Sequence, residues 1–216
     1  MRIALLHTAQ IHETTFDALF SALGSEITVT HRVEPALLER ARAQGVDAVR
    51  AQTLDILHEL SSADAVICTC STLGPLADEV SRTLPHVFRI DRPLMEGACK
   101  AGRTILVAVC LESTRQATLD LLADCAAAQD HTIAVHPVVI GAAWPFFEAG
   151  DMPGFANAIA AAISAEVAAK PNIDCIVLAQ ASMRVAEPAL AALGIAVLSS
   201  PLLAAEHSIA VAKART

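Results

Sequence analysis

ADAVICTCSTLG (63–74) can be laid on IDCIVLAQASMR (173–184). Each stretch opens on an aspartate, Asp64 or Asp174, and continues as a short apolar run with no charge inside it. That is the pattern of a strand at the centre of a parallel sheet, where helices cover both faces. The alignment sets Cys70 against Gln180. Working outward, LPHVFRID (84–91) falls on LGIAVLSS (193–200) with the offset one residue shorter, and PLMEGA (93–98) on PLLAAE (201–206) with it one shorter again. Upstream, Arg2-Ile3-Ala4-Leu5-Leu6 lies on Arg103-Thr104-Ile105-Leu106-Val107. A nearly constant offset over several elements predicts an internal duplication with a pseudo-twofold.

Between these landmarks, short apolar runs alternate with longer amphipathic ones. The pattern predicts strands over 3–7, 27–31, 64–70, 87–90, 103–110, 132–136, 174–179 and 196–199. It predicts helices over 15–23, 35–44, 53–61, 73–83, 113–128, 155–170, 188–193 and 201–213. This alternation implies an α/β fold of two pseudo-twofold-related lobes, each a mainly parallel sheet flanked by helices. The first lobe is expected to take residues 1–91 and 201–216, the second 92–200. An active-site cleft is expected between them, because ligands bind at the carboxyl ends of the strands in such sheets.

With 54% hydrophobic and 18% charged residues, the chain can bury a substantial core and does not read as disordered. A net charge of −8 argues against a nucleic-acid partner, which needs clustered Lys and Arg. The opening MRIALLHT has no signal-peptide pattern, and no apolar run reaches the length of a membrane span without a charge or a turn residue. A cytoplasmic protein without a membrane partner is the expectation. The six cysteines form no CxxC pair, which argues against both a disulfide framework and a metal site. There is no GxGxxG stretch, so no nicotinamide or flavin cofactor is expected.

Cys70-Ser71-Thr72 follows a buried run and precedes a helical pattern. A strand end there would aim the thiol at the cleft, and the start of the next helix would favour the thiolate. The hydroxyl and amide groups of Ser71 and Thr72 could hold a carboxylate. The spacing equally allows Cys70 to be a core cysteine with Ser71 as a helix N-cap. Cys68 faces the same side one layer deeper and reads as a buried apolar thiol. Cys110-Leu111-Glu112-Ser113-Thr114 ends the opening strand of the second repeat, where Ser113 or Thr114 either caps the next helix or helps to bind an anion. His7-Thr8 ends the matching strand of the first repeat, and a histidine there is either a general acid or a satisfied structural residue. Trp144 and Pro145 either wall a pocket or simply pack, while Glu148 and Asp151 read as solvated loop charges.

At these residues the chain resembles the aspartate/glutamate racemase superfamily, which includes amino-acid racemases, hydantoin racemases, maleate isomerases and arylmalonate decarboxylases. The family's first cysteine follows a buried strand and is succeeded by Asn-Thr. AVICTCSTLG (65–74) has that form, with Ser71 in place of Asn. The second cysteine lies in a Val-Leu-Gly-Cys-Thr or Val-Leu-Gly-Cys-Ala-Gly-Met segment. Val177-Leu178-Ala179-Gln180-Ala181-Ser182-Met183 keeps that frame and puts Gln180 at the cysteine position. RTILVAVCLEST (103–114) resembles the strand that ends in substrate-binding Thr or Ser. The resemblance covers nearly the whole chain. It implies a duplicated α/β fold without metal or organic cofactor, and Cys70 as the carbon-acid base. It also implies substrate contacts from His7, Thr8, Ser71, Thr72, Ser113, Thr114, Gln180, Ala181 and Ser182.

A racemase of this kind removes a proton from the carbon next to a carboxylate and returns one from the opposite face, with a thiol on each side. A Gln amide is neither a useful acid nor a base near neutral pH, although it can donate a hydrogen bond. The reading that follows is a cofactor-independent enzyme acting on a small carboxylate from one side, as an isomerase, lyase or decarboxylase. Two others stay open. One is an Asp/Glu-type racemase whose second base is His7 or Cys110. The other is a catalytically inactive small-molecule binding protein. The sequence names neither the substrate nor the oligomer, for which a homodimer is the assembly to test.

Overall fold

In a computed structural model, residues 1–24, 26–170 and 172–215 are described. Ser25, Pro171 and Thr216, the last of which ends the first lobe expected from the sequence, lie outside the described residues. The chain divides into two compact units, Met1–Arg92 with Pro201–Thr216, and Pro93–Ser200.

The first unit contains strands β1 (Arg2–His7), β2 (Thr28–Val33), β3 (Ala65–Cys68) and β4 (Val87–Arg89), with helices α1 (Ile11–Leu23), α2 (Pro35–Gln44), α3 (Arg50–Leu60) and α4 (Gly74–Ser81). Its sheet runs β2-β1-β3-β4 with every pair parallel. The second unit contains α5 (Arg92–Ala101), β5 (Thr104–Val109), α6 (Glu112–Ala128), β6 (Ala134–Val139), α7 (Trp144–Glu148), α8 (Met152–Ala169), β7 (Cys175–Leu178), α9 (Glu187–Leu190) and β8 (Ala196–Ser199). Its sheet, β6-β5-β7-β8, repeats the same order and sense. A final helix α10 (Ser200–Arg215) returns the chain to the first unit. The α/β class and the two parallel sheets are those expected from the sequence.

The central strands are apolar because both of their faces are covered. Residues 3–7 of β1, all of β3, residues 105–109 of β5 and all of β7 are buried, whereas the edge strands β2 and β6 mix exposed and half-buried positions. By length and composition α8 could cross a membrane. Its Phe155, Ile159 and Ile163 are buried in the core of the second unit with Leu106, Ile176 and Leu178.

Strand pairing corrects the register of the repeat. Ile3 pairs with Ala65, and Ile105 with Cys175. Since Ala65 and Cys175 are equivalent, Ile3 matches Ile105 and Arg2 matches Thr104, one residue away from the sequence alignment. Arg2 and Arg103, which drew that alignment, both have exposed side chains, so their likeness carries no information on the register. The aspartates fix the register. Asp64 Oδ2 accepts the Arg2 N–H at 2.7 Å, and Asp174 Oδ2 accepts those of Thr104 and Arg103 at 2.9 Å each. These backbone bonds hold both carboxyls below their ordinary range. A slip of one residue would turn every side chain to the wrong face, so such clamps matter.

The same comparison matches Val87 with Val197, again one residue from the sequence alignment. Two residues, Ile90 and Asp91, then separate β4 from α5, while β8 runs directly into α10. Asp91 is 1% exposed and grips the guanidinium of Arg89, itself 4% exposed, through Nε at 2.5 Å and Nη2 at 2.9 Å. Arg89 Nη1 also reaches Asp78 Oδ2 at 3.0 Å, and Arg92 closes on the other oxygen of Asp78 at 2.8 Å. Burial alone would lower the Arg89 pKa. The Asp91 charge and the hydrogen bonds to Asp91 and Asp78 outweigh it and hold the group above its ordinary value. The guanidinium lies so close to Gly74 that an added Cβ would stand 2.5 Å from its Cζ.

Two helices have no counterpart in the sequence reading, α5 over 92–101 and the short α7. Asp151, expected to be a solvated loop charge, is the N-cap of α8, its Oδ1 accepting the Gly154 N–H at 2.9 Å.

Candidate functional site

The backbone ladder of the first sheet runs one residue beyond β3, where the Thr69 N–H donates to the Leu6 carbonyl at 2.9 Å. Cys70 follows in an extended conformation, φ −105° and ψ 111°, and caps a 3-10 turn over Ser71–Leu73 that leads into α4. That turn revises the sequence expectation. The α-helix starts at Gly74 rather than directly after the thiol, and Ser71 and Thr72, both half-buried, lead the turn instead. The first bond of the turn runs from the Leu73 N–H to the Cys70 carbonyl at 3.0 Å. The amides of Ser71 and Thr72 therefore have no acceptor within it.

The second sheet repeats this junction. The Ala179 N–H donates to the Ala108 carbonyl at 3.0 Å. Gln180, at φ −112° and ψ 136°, caps a 3-10 turn over Ala181–Ala186, whose first bond joins Met183 N–H to the Gln180 carbonyl at 2.9 Å. Positions 70 and 180 thus share one backbone geometry and differ in the side chain. Gln180 Oε1 accepts the Cys110 N–H at 2.5 Å, which leaves the two N–H donors of Nε2 for other partners. Ala181 and Ser182, both half-buried, follow it.

The six cysteines are all unbridged and buried, but not equally. Cys70 is 7% exposed and the others lie between 0% and 4%. Burial pushes the thiols of Cys68, Cys110 and Cys175 up to about 12 and raises that of Cys99. Cys68 fits the expectation of an apolar thiol, with its Sγ 3.8 Å from the Cys70 carbonyl. Because only a thiolate attacks an alkylating agent, iodoacetamide at neutral pH is expected to label Cys70 first, with Cys68, Cys110 and Cys175 slower by at least about tenfold. Peptide mapping of a time course checks this, and Cys110 or Cys175 labelling ahead of Cys70 would refute it.

His7 is fully buried at the end of β1. Its Nδ1 is 2.8 Å from Thr69 Oγ1, and its Nε2 is 2.8 Å from Nδ1 of His31 on β2. Burial, then the nearby His31 and His12, lower its pKa to about 3, so the ring is neutral. Side chains alternate along a strand. Ala4 and Leu6 belong to the core cluster that holds Cys68, Cys70 and Leu73, while His7 lies against Phe16 of α1, with ring centroids 5.8 Å apart. His7 is therefore on the other face of the sheet from the Cys68–Cys70 row, and both of its ring nitrogens are engaged. Thr8, 8% exposed, follows the strand directly.

Ser113 and Thr114 sit in the first turn of α6. The N-cap position is Leu111, not either hydroxyl residue. Ser113 is exposed, and Thr114 Oγ1 donates back to the Leu111 carbonyl at 2.8 Å. The first unit therefore gathers Thr8, Cys70, Ser71 and Thr72 at the carboxyl ends of the adjacent strands β1 and β3. The second gathers Cys110, Ser113, Thr114 and Gln180 at those of β5 and β7.

Sequence reasoning passed over His12, His31, Asp17 and Thr69. His31 Nε2 is 3.0 Å from Asp17 Oδ1, and the His12 ring lies 6.0 Å from that of His7. Burial lowers the His12 pKa. Histidines at 7 and 31, on neighbouring predicted strands, were a signal that only the strand register could convert into a contact.

The fold is shared with solved structures. Glutamate racemase isoform RacE1 from Bacillus anthracis matches with a TM-score of 0.71 at 13% identity, over 99% of this chain and 82% of that one. Allantoin racemase from Pseudomonas fluorescens matches with a TM-score of 0.67 at 17% identity, over 100% and 92%. An arylmalonate decarboxylase matches with a TM-score of 0.59 at 14% identity, over 98% and 92%. No protein-family model matches the chain, and no curated protein matches it in sequence. The neighbours include both racemases and a decarboxylase on one two-lobe α/β fold, the fold that the sequence resemblance implies.

Proposed function

We propose that this protein is a cofactor-independent enzyme of the racemase type that acts on the carbon next to the carboxylate of a small acid. Cys70 is its acid/base, and no thiol answers it at position 180. The observation that carries this reading is the repeated junction itself. The same extended residue, capping the same kind of turn at the end of the equivalent buried strand, is a cysteine in one repeat and a glutamine in the other.

In this reading the substrate carboxylate is held by the amide and hydroxyl groups of Ser71 and Thr72, with Thr8 beside them. These donors stabilise the charge that develops when the neighbouring carbon loses its proton or carbon dioxide. The Cys70 thiolate takes a proton from that carbon, or the thiol returns one to it. At position 180 the second repeat offers only an amide, which cannot deliver a proton to carbon. Proton traffic is therefore one-sided. Two observations weigh against a second base elsewhere. His7 is neutral with both ring nitrogens engaged, and the Cys110 thiol is pushed up to about 12.

The test is incubation in deuterium oxide with a panel of α-amino, α-hydroxy and α-aryl carboxylates and malonates, followed by proton NMR and chiral chromatography. One enantiomer is expected to carry deuterium or to be formed, with turnover lost in Cys70→Ala. Efficient exchange into both enantiomers by the wild-type protein would overturn the one-sided reading. Binding without turnover across the panel would replace the enzyme with a ligand-binding protein. Gln180→Cys puts a thiol at both repeat-equivalent positions, and exchange into both enantiomers in that variant would show that the second position takes part. Because that change strips the Cys110 N–H of its acceptor, it should also lower stability by about 1–3 kcal/mol, read by urea denaturation.

A further inference from the structure

The side chains of Asp17, His31, His7 and Thr69 form a continuous chain from the surface of the first unit to its core. Asp17 is 63% exposed at its side chain and His31 13%, while His7 is 0% exposed and Thr69 4%. The links are 3.0 Å from Asp17 Oδ1 to His31 Nε2, 2.8 Å from His31 Nδ1 to His7 Nε2, and 2.8 Å from His7 Nδ1 to Thr69 Oγ1. The Thr69 hydroxyl lies also 3.0 Å from the Leu6 carbonyl.

The hydroxyl has one proton and two acceptors within reach. With both histidines neutral, the only complete arrangement runs inside-out. Thr69 O–H donates to His7 Nδ1, His7 Nε2–H to His31 Nδ1, and His31 Nε2–H to Asp17. When one proton enters from solvent, the chain reverses its inner part. His31 becomes an imidazolium that donates to Asp17 from Nε2 and to His7 from Nδ1. The proton on His7 Nε2 passes to His31 Nδ1, a solvent proton takes its place on His7 Nδ1 during local opening of the strand end, and His7 then donates to Thr69 Oγ1 while the Thr69 hydroxyl turns to the Leu6 carbonyl. One proton is taken up, its charge stays on His31, and every nitrogen has a partner in both states. Burial, with His31 and His12 beside it, keeps the charge off His7.

We propose that Asp17, His31, His7 and Thr69 form a proton relay. Protonation at His31 turns the Thr69 hydroxyl from His7 to the Leu6 carbonyl, and so resets the hydrogen bonding of the strand tip that carries Cys70. The relay is a positioning device, since Thr69 and Cys70 point to opposite faces and no proton passes directly to the thiol. Other charged and titratable groups around it are few. On α1 they are His12, and Glu13, which Gln10 binds. On β2, Arg32 pairs with Glu34 at 2.7 Å. The neighbouring part of β3 adds only the Thr69 hydroxyl. The link to Cys70 rests on the function proposed above, whereas the hydrogen placements do not.

The test uses full-length protein labelled with 15N-histidine. Long-range proton–nitrogen spectra are recorded from about pH 9 to about pH 5, a range chosen to span ordinary histidine titration. His7 is expected to change from the Nε2–H to the Nδ1–H tautomer on acidification without becoming an imidazolium, as His31 takes up the proton. His31→Gln should abolish the tautomer change. In parallel, the iodoacetamide labelling rate of Cys70 should show an inflection at the pH of the tautomer change that His31→Gln removes and exposed His58→Gln leaves in place. A His7 that keeps one tautomer throughout, or that itself becomes the imidazolium, overturns the proposal. A tautomer change with no response at Cys70 overturns it too, by severing the relay from the thiol. Neither result bears on whether Cys70→Ala loses turnover.

Discussion

Asp91→Ala is expected to destabilise the protein by about 3–5 kcal/mol, the usual cost of leaving a buried charge without its partner. Asp91 supplies two of the three carboxylate contacts made by the buried guanidinium of Arg89. Its removal leaves Arg89 with Asp78 alone, whose side chain is 24% exposed and already shared with Arg92. Arg89 is 4% exposed, so the charge left behind is a buried one. The double variant Arg89→Met with Asp91→Leu removes both charges together and should recover most of the loss, since an apolar pair avoids the desolvation that the ions undergo. Urea midpoints of the two variants check this. A single variant as stable as the double would show that the ion pair contributes little. Gly74→Ala presses on the same pair from the other side, so it should cost about 1–3 kcal/mol by overpacking.

Stability is also expected to fall as pH drops from about 6.5 toward about 3, with His7 a main cause. The sign follows from the lowered pKa. In the folded protein His7 binds a proton only near pH 3, while in the unfolded chain it does so near its ordinary value of 6.5. Between those values the unfolded state holds the extra proton, and acid favours it. The contribution is complete above the unfolded value and disappears as pH falls through the folded one. Its slope is at most about 1.4 kcal/mol per pH unit. The carboxyls of Asp64 and Asp174, held low by backbone N–H groups, act in the same direction at more acidic pH. His7→Gln keeps a donor and an acceptor near Thr69 and His31 but cannot be protonated. Its denaturation midpoint should therefore vary less between about pH 7 and pH 4 than that of the wild type. An identical pH dependence would assign the acid sensitivity to other groups.

Much of the fold was legible because parallel strands buried on both faces leave uninterrupted apolar runs, and those of β3 and β7 carry the repeat almost alone. The register was not, because Arg2 and Arg103 look alike in sequence, whereas the bonds that fix the strands run from the aspartates to backbone N–H groups and are blind to the exposed arginine side chains. Their apparent match hid the fact that Thr104, not Arg103, is the counterpart of Arg2. At the candidate site, Cys70, Ser71, Thr72 and Gln180 could be placed in advance because each follows a buried run directly. The 3-10 turns could not, since Ser71–Leu73 and the start of α4 carry one continuous helical pattern. Nor could the bond from the Cys110 N–H to Gln180 or the chain from Asp17 to Thr69. Both join residues far apart in sequence whose contact depends on which strands neighbour each other.

The return of α10 to the first unit has a consequence for how the chain is made. The second unit is one uninterrupted stretch, Pro93–Ser200, and has all its parts once Ser200 has left the ribosome. The first unit begins earlier and is completed later. It still lacks the helix whose His207 ring packs edge-on against Phe88 with centroids 4.7 Å apart, and whose Arg215 Nη1 lies 3.0 Å from His86 Nδ1. Until then, the apolar positions that Ala204, Ala205 and Ala212 fill stay open. Vectorial synthesis therefore finishes the domain that carries Gln180 before the domain that carries Cys70, and the nascent chain holds the Cys70 thiol in an unfinished fold until α10 docks.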